Sequence, residues 1–365
     1  MLFGLKTTEK HEKMKWKYSE IRSGVQLNIR EIAKKAGVSV ATVSRVLNHP
    51  QSVAPKTREK IEKIIQEEEY TPNWLARGLN FNKTGTIGLM IPHILNSVHM
   101  ETAKGVEDVA HMKGYVTFMC NVEEDAEKEK TYLESMVKRR VDGIILISST
   151  LDEKNLKHLM GNNLPVVLIG GSKYHPGLSV VSVDYKVGAA QVVSHLVNNG
   201  HRRIAILYGN NPAGDNQEKL EGYMKVLEES GLPLSKEYMV AVENSIEGGY
   251  LGAKKMTELP EPPDAIFGTS DRIAFGAMDA IKDKEIKIPD EIAVVGFDNE
   301  RLSNLVEPKL TTVDVPLHKM GVYGARLLFD IVEGEVESGS RNILLQTKLK
   351  IRKSCGHKER IGEMF

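Results

Sequence analysis

Cysteine is nearly absent from this chain: Cys120 and Cys355 are the only two in 365 residues. That is too few for a disulfide framework, and no Cys/His spacing of a structural metal site surrounds them. Long apolar runs are missing too. No stretch approaches the ~18 residues that span a bilayer, and the N-terminal MLFGLKTTEKHEKMKWKY has no apolar core of a signal peptide. Catalytic signatures are equally scarce, with no Walker loop, GxGxxG, HExxH or GxSxG. Ser135-Met136-Val137-Lys138 fits S-x-x-K, but it sits in an amphipathic helical stretch without companion motifs, and His201-Arg202-Arg203 reads as the charged lead-in to a strand. These absences point to a soluble cytoplasmic protein that is not an enzyme, with no catalytic residues, no metal site and no cofactor.

What is present suffices for two or three globular units: 41% of residues are hydrophobic and 27% charged. The net charge of zero hides an asymmetry. Residues 1–83 carry sixteen Lys/Arg against nine Asp/Glu, so the rest of the chain is acidic by the same margin. A basic N-terminal part on an acidic body suggests that the first meets a polyanion and the second does not. Residues 1–24 are polar and without periodicity, so they read as a disordered extension or, since codons for Arg22-Ser23-Gly24 can spell a ribosome-binding sequence before a GUG at Val25, as a misplaced start.

Asn28 followed by Glu31 forms a capping-box pattern, and Ile29, Ile32, Ala33 and Ala36 then fall on one helix face. Gly37 supplies a tight turn and Ser39 the cap of a second helix, whose apolar stripe is Val43, Val46 and Leu47. That leaves Val40, Ala41, Thr42 and Arg45 facing outward, where a recognition helix meets base edges in the major groove. Arg45 suits guanine or a phosphate, and the neighbouring methyl groups suit thymine methyls. A plain helical hairpin would show the same pattern. The third helix, with Ile61, Ile64 and Ile65 inward, adds the buttress, and Lys56, Thr57 and Arg58 at its start suit phosphates. With Ser39, Ser44 and Asn48 they make up the expected phosphate contacts. Asn73 then caps a two-turn helix ending at Leu79. Gly78 inside it costs about 1 kcal/mol relative to alanine, so this short helix is marginal alone and its stability has to come from a partner, for which a minor groove and a second copy would do.

This stretch resembles the headpiece of LacI/GalR-family transcription regulators, through the AGVSVATVSRVLN core of Ala36 to Asn48, Thr57-Arg58-Glu59, Tyr70-x-Pro72-Asn73 and Ala76-Arg77-Gly78-Leu79. The resemblance implies that Leu79 wedges into the minor groove of double-stranded operator DNA, with Asn73, Ala76 and Arg77 beside it.

From Thr86 onward, short β-rich runs alternate with helical stretches: TIGLMI, YVTFMC, GIILIS, PVVLIG and VVSVD, then RIAILYG, MVAV, DAIFGTS and IAVVGFD. Two such series predict two parallel-sheet subdomains with a ligand cleft at the strand ends. The resemblance gives the fold class: a small all-α helix-turn-helix head plus an α/β periplasmic-binding-protein-like core. The expected domains are an extension at 1–24, a helix-turn-helix domain at 26–71, a hinge helix and linker at 72–84, a core at 85–356 and a tail at 357–365. Within the core, one subdomain takes 85–184 plus 316–335 and the other 185–315 plus 340–356, the strand around Ile343 to Lys350 finishing the second.

Asp298, at the end of an apolar strand, can accept hydrogen bonds from a ligand. By family position it is an effector contact, as are Ser270, Lys219 (often arginine in relatives), Asn244, Asn96 and His99, while Asp271 reads as a helix cap. Loss of the arginine and of the usual aromatic surfaces favours a small acidic or phosphorylated metabolite over a neutral hexose. Within the family the catabolite control proteins resemble this chain, which implies a phosphorylated carrier protein as an alternative co-repressor. The expected protein is a homodimeric repressor, ligand-controlled, with no membrane association. A sugar-binding receptor without DNA binding is the competing class.

Overall fold

In a computed structural model of the protein, the described residues are 28–68, 70, 83–149, 151, 164–171, 177–210, 215–337, 339 and 341–356. They belong to two compact units divided between residues 82 and 83. The N-terminal extension, the hinge residues Asn73, Ala76, Arg77 and Leu79, and the tail from 357 lie outside the described residues.

The first unit holds helices α1 (Ile29–Ala36), α2 (Val40–Asn48) and α3 (Pro55–Glu67). Asn28 closes a full capping box with Glu31, each side chain taking the other's backbone N–H. Gly37 ends α1 at φ 67°, a left-handed turn that costs glycine nothing. The reversal lets Ile32, Ala33 and Ala36 meet Val43, Val46 and Ile61 in one small core, closed by Tyr70. A Lys35–Glu68 ion pair at 2.7 Å lies on its surface.

The second unit contains two six-stranded sheets of the same strand order. The first runs β2 (Val116–Asn121), β1 (Thr86–Ile91), β3 (Gly143–Ile147), β4 (Val166–Ile169), β5 (Ser179–Val183) and β11 (Asn342–Leu345), all parallel. The second runs β7 (Met239–Val242), β6 (Ile204–Gly209), β8 (Ala265–Gly268), β9 (Ala293–Asp298), β10 (Thr311–Asp314) and β12 (Lys348–Lys350), with β12 antiparallel. Central strands such as β1 and β3 are buried along their whole length, which is why they read as unbroken apolar runs. Helices α4 (Ser97–Met112), α5 (Ala126–Lys138) and α10 (Leu317–Glu333) flank the first sheet; α6 (Tyr185–Asn198), α7 (Asp215–Glu229), α8 (Ile246–Thr257) and α9 (Asp271–Asp283) flank the second.

The chain passes between the sheets three times: after β5, after β10, and between β11 and β12. The last passage corrects the sequence expectation. Residues 343–350 are not one strand of the second subdomain: β11 pairs with β5, and only β12 reaches β10. The alternation of NILLQTKLK carries no mark of the break at Gln346-Thr347, because either half fits an edge strand equally well.

Helices α4 and α10 cross at Gly105 and Gly321, where a Cβ on Gly321 would run into the Thr102 carbonyl and the Val106 amide nitrogen. Both obstacles are backbone and cannot rotate away. Gly321→Ala should therefore destabilise the protein by about 1–3 kcal/mol, read as a lower urea midpoint at unchanged m.

Candidate DNA-reading face and inter-subdomain cleft

In the first unit, Ser39 caps α2 by accepting from the Thr42 backbone N–H at 3.2 Å, while the Ser39 and Thr42 hydroxyls share a hydrogen bond of 2.9 Å. Val40 is 40% exposed. Ala41 and Arg45 are exposed beside it, and Thr42 and Ser44 are half-buried. On α3, Lys56 is exposed and Thr57 half-buried. Arg58 leans on its own fold, with Nη1 donating to Gln51 Oε1 at 3.4 Å and Nε 3.8 Å from Glu62. Val40, Ala41 and Arg45 thus form the open face, whereas Thr42 and Arg58 are partly committed within the protein. Asn48 ends α2.

In the second unit, Asn96, His99, Lys219, Asn244, Ser270 and Asp298 all line one inner cavity of about 70 Å³. The parallel topology explains the convergence, because loops leaving the C-terminal ends of both sheets open onto the same space. Asn96 caps α4 by accepting from the Val98 N–H. His99, whose Nδ1 lies 3.3 Å from the His93 carbonyl, is pushed down to about 4 by burial and is neutral at ordinary pH.

Lys219 is 3% exposed, donates to Asp215 Oδ2 and to the Thr269 carbonyl at 3.0 Å each, and lies 4.4 Å from the Phe297 ring centroid and 5.2 Å from that of Tyr185. Asp298 stands in the left-handed region at φ 108°, and burial holds its carboxyl well above the ordinary range against the pull of Lys219.

Asp271 is not the helix cap expected of it; Ser270 takes that place while also lining the cavity. Ser270 is the helix cap, accepting from the Ile273 N–H at 3.3 Å while its hydroxyl donates to Asn244 Oδ1 at 2.6 Å. Asp271 lies fully buried one residue inside the helix and accepts from the Glu300 N–H, Ser303 Oγ and Thr312 Oγ1. Burial pushes its carboxyl up to about 7. The sequence T-S-D places two capping residue types side by side, and only the backbone angles decide between them.

Several cavity residues escaped the sequence reading. Tyr185 supplies an aromatic wall, and Arg272, on the first turn of α9, supplies a guanidinium. Glu124, Asp215 and Glu300 add three carboxylates to Asp298. Glu300 accepts from Ser97 Oγ across the cleft. Among these, only GFDNER carried a usable hint, an acidic residue just beyond a strand end.

A helix-turn-helix unit ahead of a two-sheet core with a cleft at the strand ends defines a transcription regulator with a periplasmic-binding-protein-like body. Residues 28–73 match the family described as bacterial regulatory proteins, lacI family, and residues 84–353 match the periplasmic binding proteins and sugar binding domain of the LacI family. The chain belongs to the LacI family of DNA-binding transcription regulators, and its homologues are not enzymes. It is 35% identical to catabolite control protein A of Priestia megaterium over 331 residues, 90% of this chain and 99% of that protein. Among solved structures, a lac repressor dimer bound to operator and the anti-inducer ONPF is similar at TM-score 0.82 with 26% identity, over 90% of this chain and 99% of that one. A CelR–cellobiose complex is similar at 0.69 with 27% identity, over the same shares. Among the described residues no helix is long and apolar enough to cross a membrane.

The raised Asp271 carboxyl makes a pH prediction. Its folded value of about 7 lies above the unfolded 3.8, so the folded state holds the extra proton and this group removes stability as pH rises from about 4 to 7. Asp271→Asn imitates the protonated form, with its amide facing Thr312. Urea midpoints across that window should fall less steeply in the variant than in the wild type.

Proposed function

We propose that the protein is a homodimeric repressor of a pseudo-palindromic operator, with operator affinity set by a small polar ligand in the inter-subdomain cleft. The observation that carries this reading is the convergence of six expected ligand contacts, drawn from both subdomains, on one cavity. It comes with a helix-turn-helix unit exposing Val40, Ala41 and Arg45. The head would read the major groove through Val40, Ala41, Thr42 and Arg45, held on phosphates by Ser39, Ser44, Asn48, Lys56, Thr57 and Arg58. Asn73, Ala76, Arg77 and Leu79 would enter the minor groove of the operator. An open groove of about 770 Å³ lined by Leu95, Met100, Ile246, Phe275 and Leu302 supports a face for the second copy. The ligand acts by binding one arrangement of the subdomains better than the other.

The ligand class shifts from the sequence expectation. Glu124, Asp215 and Glu300 outnumber the two cations, Asp298 is held toward its neutral form by burial, and Lys219 is already spent on Asp215 and a backbone carbonyl. A small acidic metabolite is therefore disfavoured, and a hydroxyl-rich ligand without negative charge fits better.

A second reading, control by a phosphorylated carrier protein, draws support from the small inner volume of about 70 Å³ and from the likeness to catabolite control protein A. On α10, Lys319, Tyr323 and Arg326 are exposed at i, i+4 and i+7, with Asp330 next along the same stripe.

Duplexes selected from a random pool, followed by gel shifts, test the DNA part. Specific affinity should fall steeply with salt, and Arg45→Ala should relax preference at one base pair by about 1–3 kcal/mol if it reads guanine. A uniform loss on all duplexes would place Arg45 on phosphate. Operator binding that responds to a phosphorylated carrier protein and to no sugar would favour the second reading.

A further inference from the structure

Resting on the ligand-controlled reading above, we propose that Glu300 is the specificity-determining residue of the cleft, demanding a hydrogen-bond donor from the ligand and refusing acidic ligands. Glu300 is 7% exposed and lines both the inner cavity and the outer groove. Its backbone is fixed: the N–H donates to Asp271 Oδ2 at 2.7 Å, and the two residues before it, Asp298 and Asn299, hold φ of 108° and 57°. That left-handed turn is rarely adopted by non-glycine residues and aims the Glu300 side chain into the cleft.

The two carboxylate oxygens have different tasks. Oε2 accepts from Ser97 Oγ on α4, which ties the second subdomain to the first. Oε1 is buried and has no hydrogen-bond partner among the described residues. A buried carboxylate oxygen without a donor is costly, and a ligand hydroxyl or ammonium placed against it removes that cost. A carboxylate or phosphate brings no donor and adds like charge.

The surrounding groups point the same way. Asp298, Asp215 and Glu124 share the cavity, and Glu101 lies close enough to act on Glu300 electrostatically. The opposing cations are Arg272, which faces Glu300, and Lys219, which is held by Asp215. Arg272 alone cannot balance a second anion beside Glu300. Because the carboxylate that meets the ligand is also the one that holds Ser97, a donor at Oε1 orders the cross-cleft bond. Ligand chemistry is thereby read as closure of the two subdomains.

Binding to the full chain tests this, by thermal shift and calorimetry with hexoses and pentoses, their amino derivatives, and their acid and phosphate forms. In the wild type a neutral or amino sugar should bind at least tenfold more tightly than its acid or phosphate counterpart. Glu300→Gln keeps the size and an acceptor for Ser97 but turns an amide donor toward the cavity. It should lose tenfold or more for the preferred sugar and gain for the acid form. Ser97→Ala should weaken binding of all members together and leave the discrimination intact.

An acid or phosphate bound more tightly by the wild type than its neutral counterpart would overturn the proposal. Unchanged selectivity in Glu300→Gln would do the same and leave the cleft reading standing. Loss of discrimination in Ser97→Ala would make Glu300 a strut rather than a reader. If no panel member binds either protein, the cleft reading falls and this inference with it.

Discussion

Two sheets of identical strand order are tied together by three passages of chain, and the C-terminal ends of their strands open onto the same space. Parallel pairing favours this arrangement, since a chain that must return to start a parallel neighbour leaves each such strand at the same edge of the sheet. The loops after β1, β3, β7, β8 and β9 deliver Pro92, Ser148, Asn244, Thr269 and Glu300 to one cavity, and β9 itself ends on Asp298 there. Without the three passages these groups would belong to two separate surfaces.

The electrostatics of the cleft follow from that burial. Carboxylates at Asp298, Asp271 and Glu300 are all pushed up by loss of water, and each is met by a different remedy. Asp298 has the field of Lys219, Asp271 has three hydrogen-bond donors, and Glu300 has Ser97 on one oxygen together with the field of Arg272. A continuous hydrogen-bonded path links Ser97, Glu300, Asp271, Thr312 and Asn299 to Asp314, the last residue before the second passage between the sheets. The mouth of the cleft is therefore joined through hydrogen bonds to the start of that passage.

Much of the head was legible from local rules, because each rule concerns residues within four positions of one another. The capping box at Asn28 and Glu31, the turn at Gly37 and the cap at Ser39 are all short-range hydrogen bonds with strict residue preferences. The strand runs of the core were legible as well, since burial on both faces leaves continuous apolar stretches. Family position supplied the six cavity residues, but not what surrounds them. Arg272 and Tyr185 lie at helix starts where arginine and tyrosine are unremarkable, and their approach to the cavity depends on helix rotation and on the second sheet.

The sequence by itself determined that a basic helical reader precedes an α/β body, because period, caps and charge balance are written in neighbouring residues. Tertiary structure alone decided that residues 342–345 and 348–350 join different sheets, that Ser270 rather than Asp271 caps α9, and that carboxylates outnumber cations in the cleft. The physical reason is common to all three. Edge pairing, cap geometry and the charge of a cavity depend on groups distant in the chain, and no local pattern records which of them will meet.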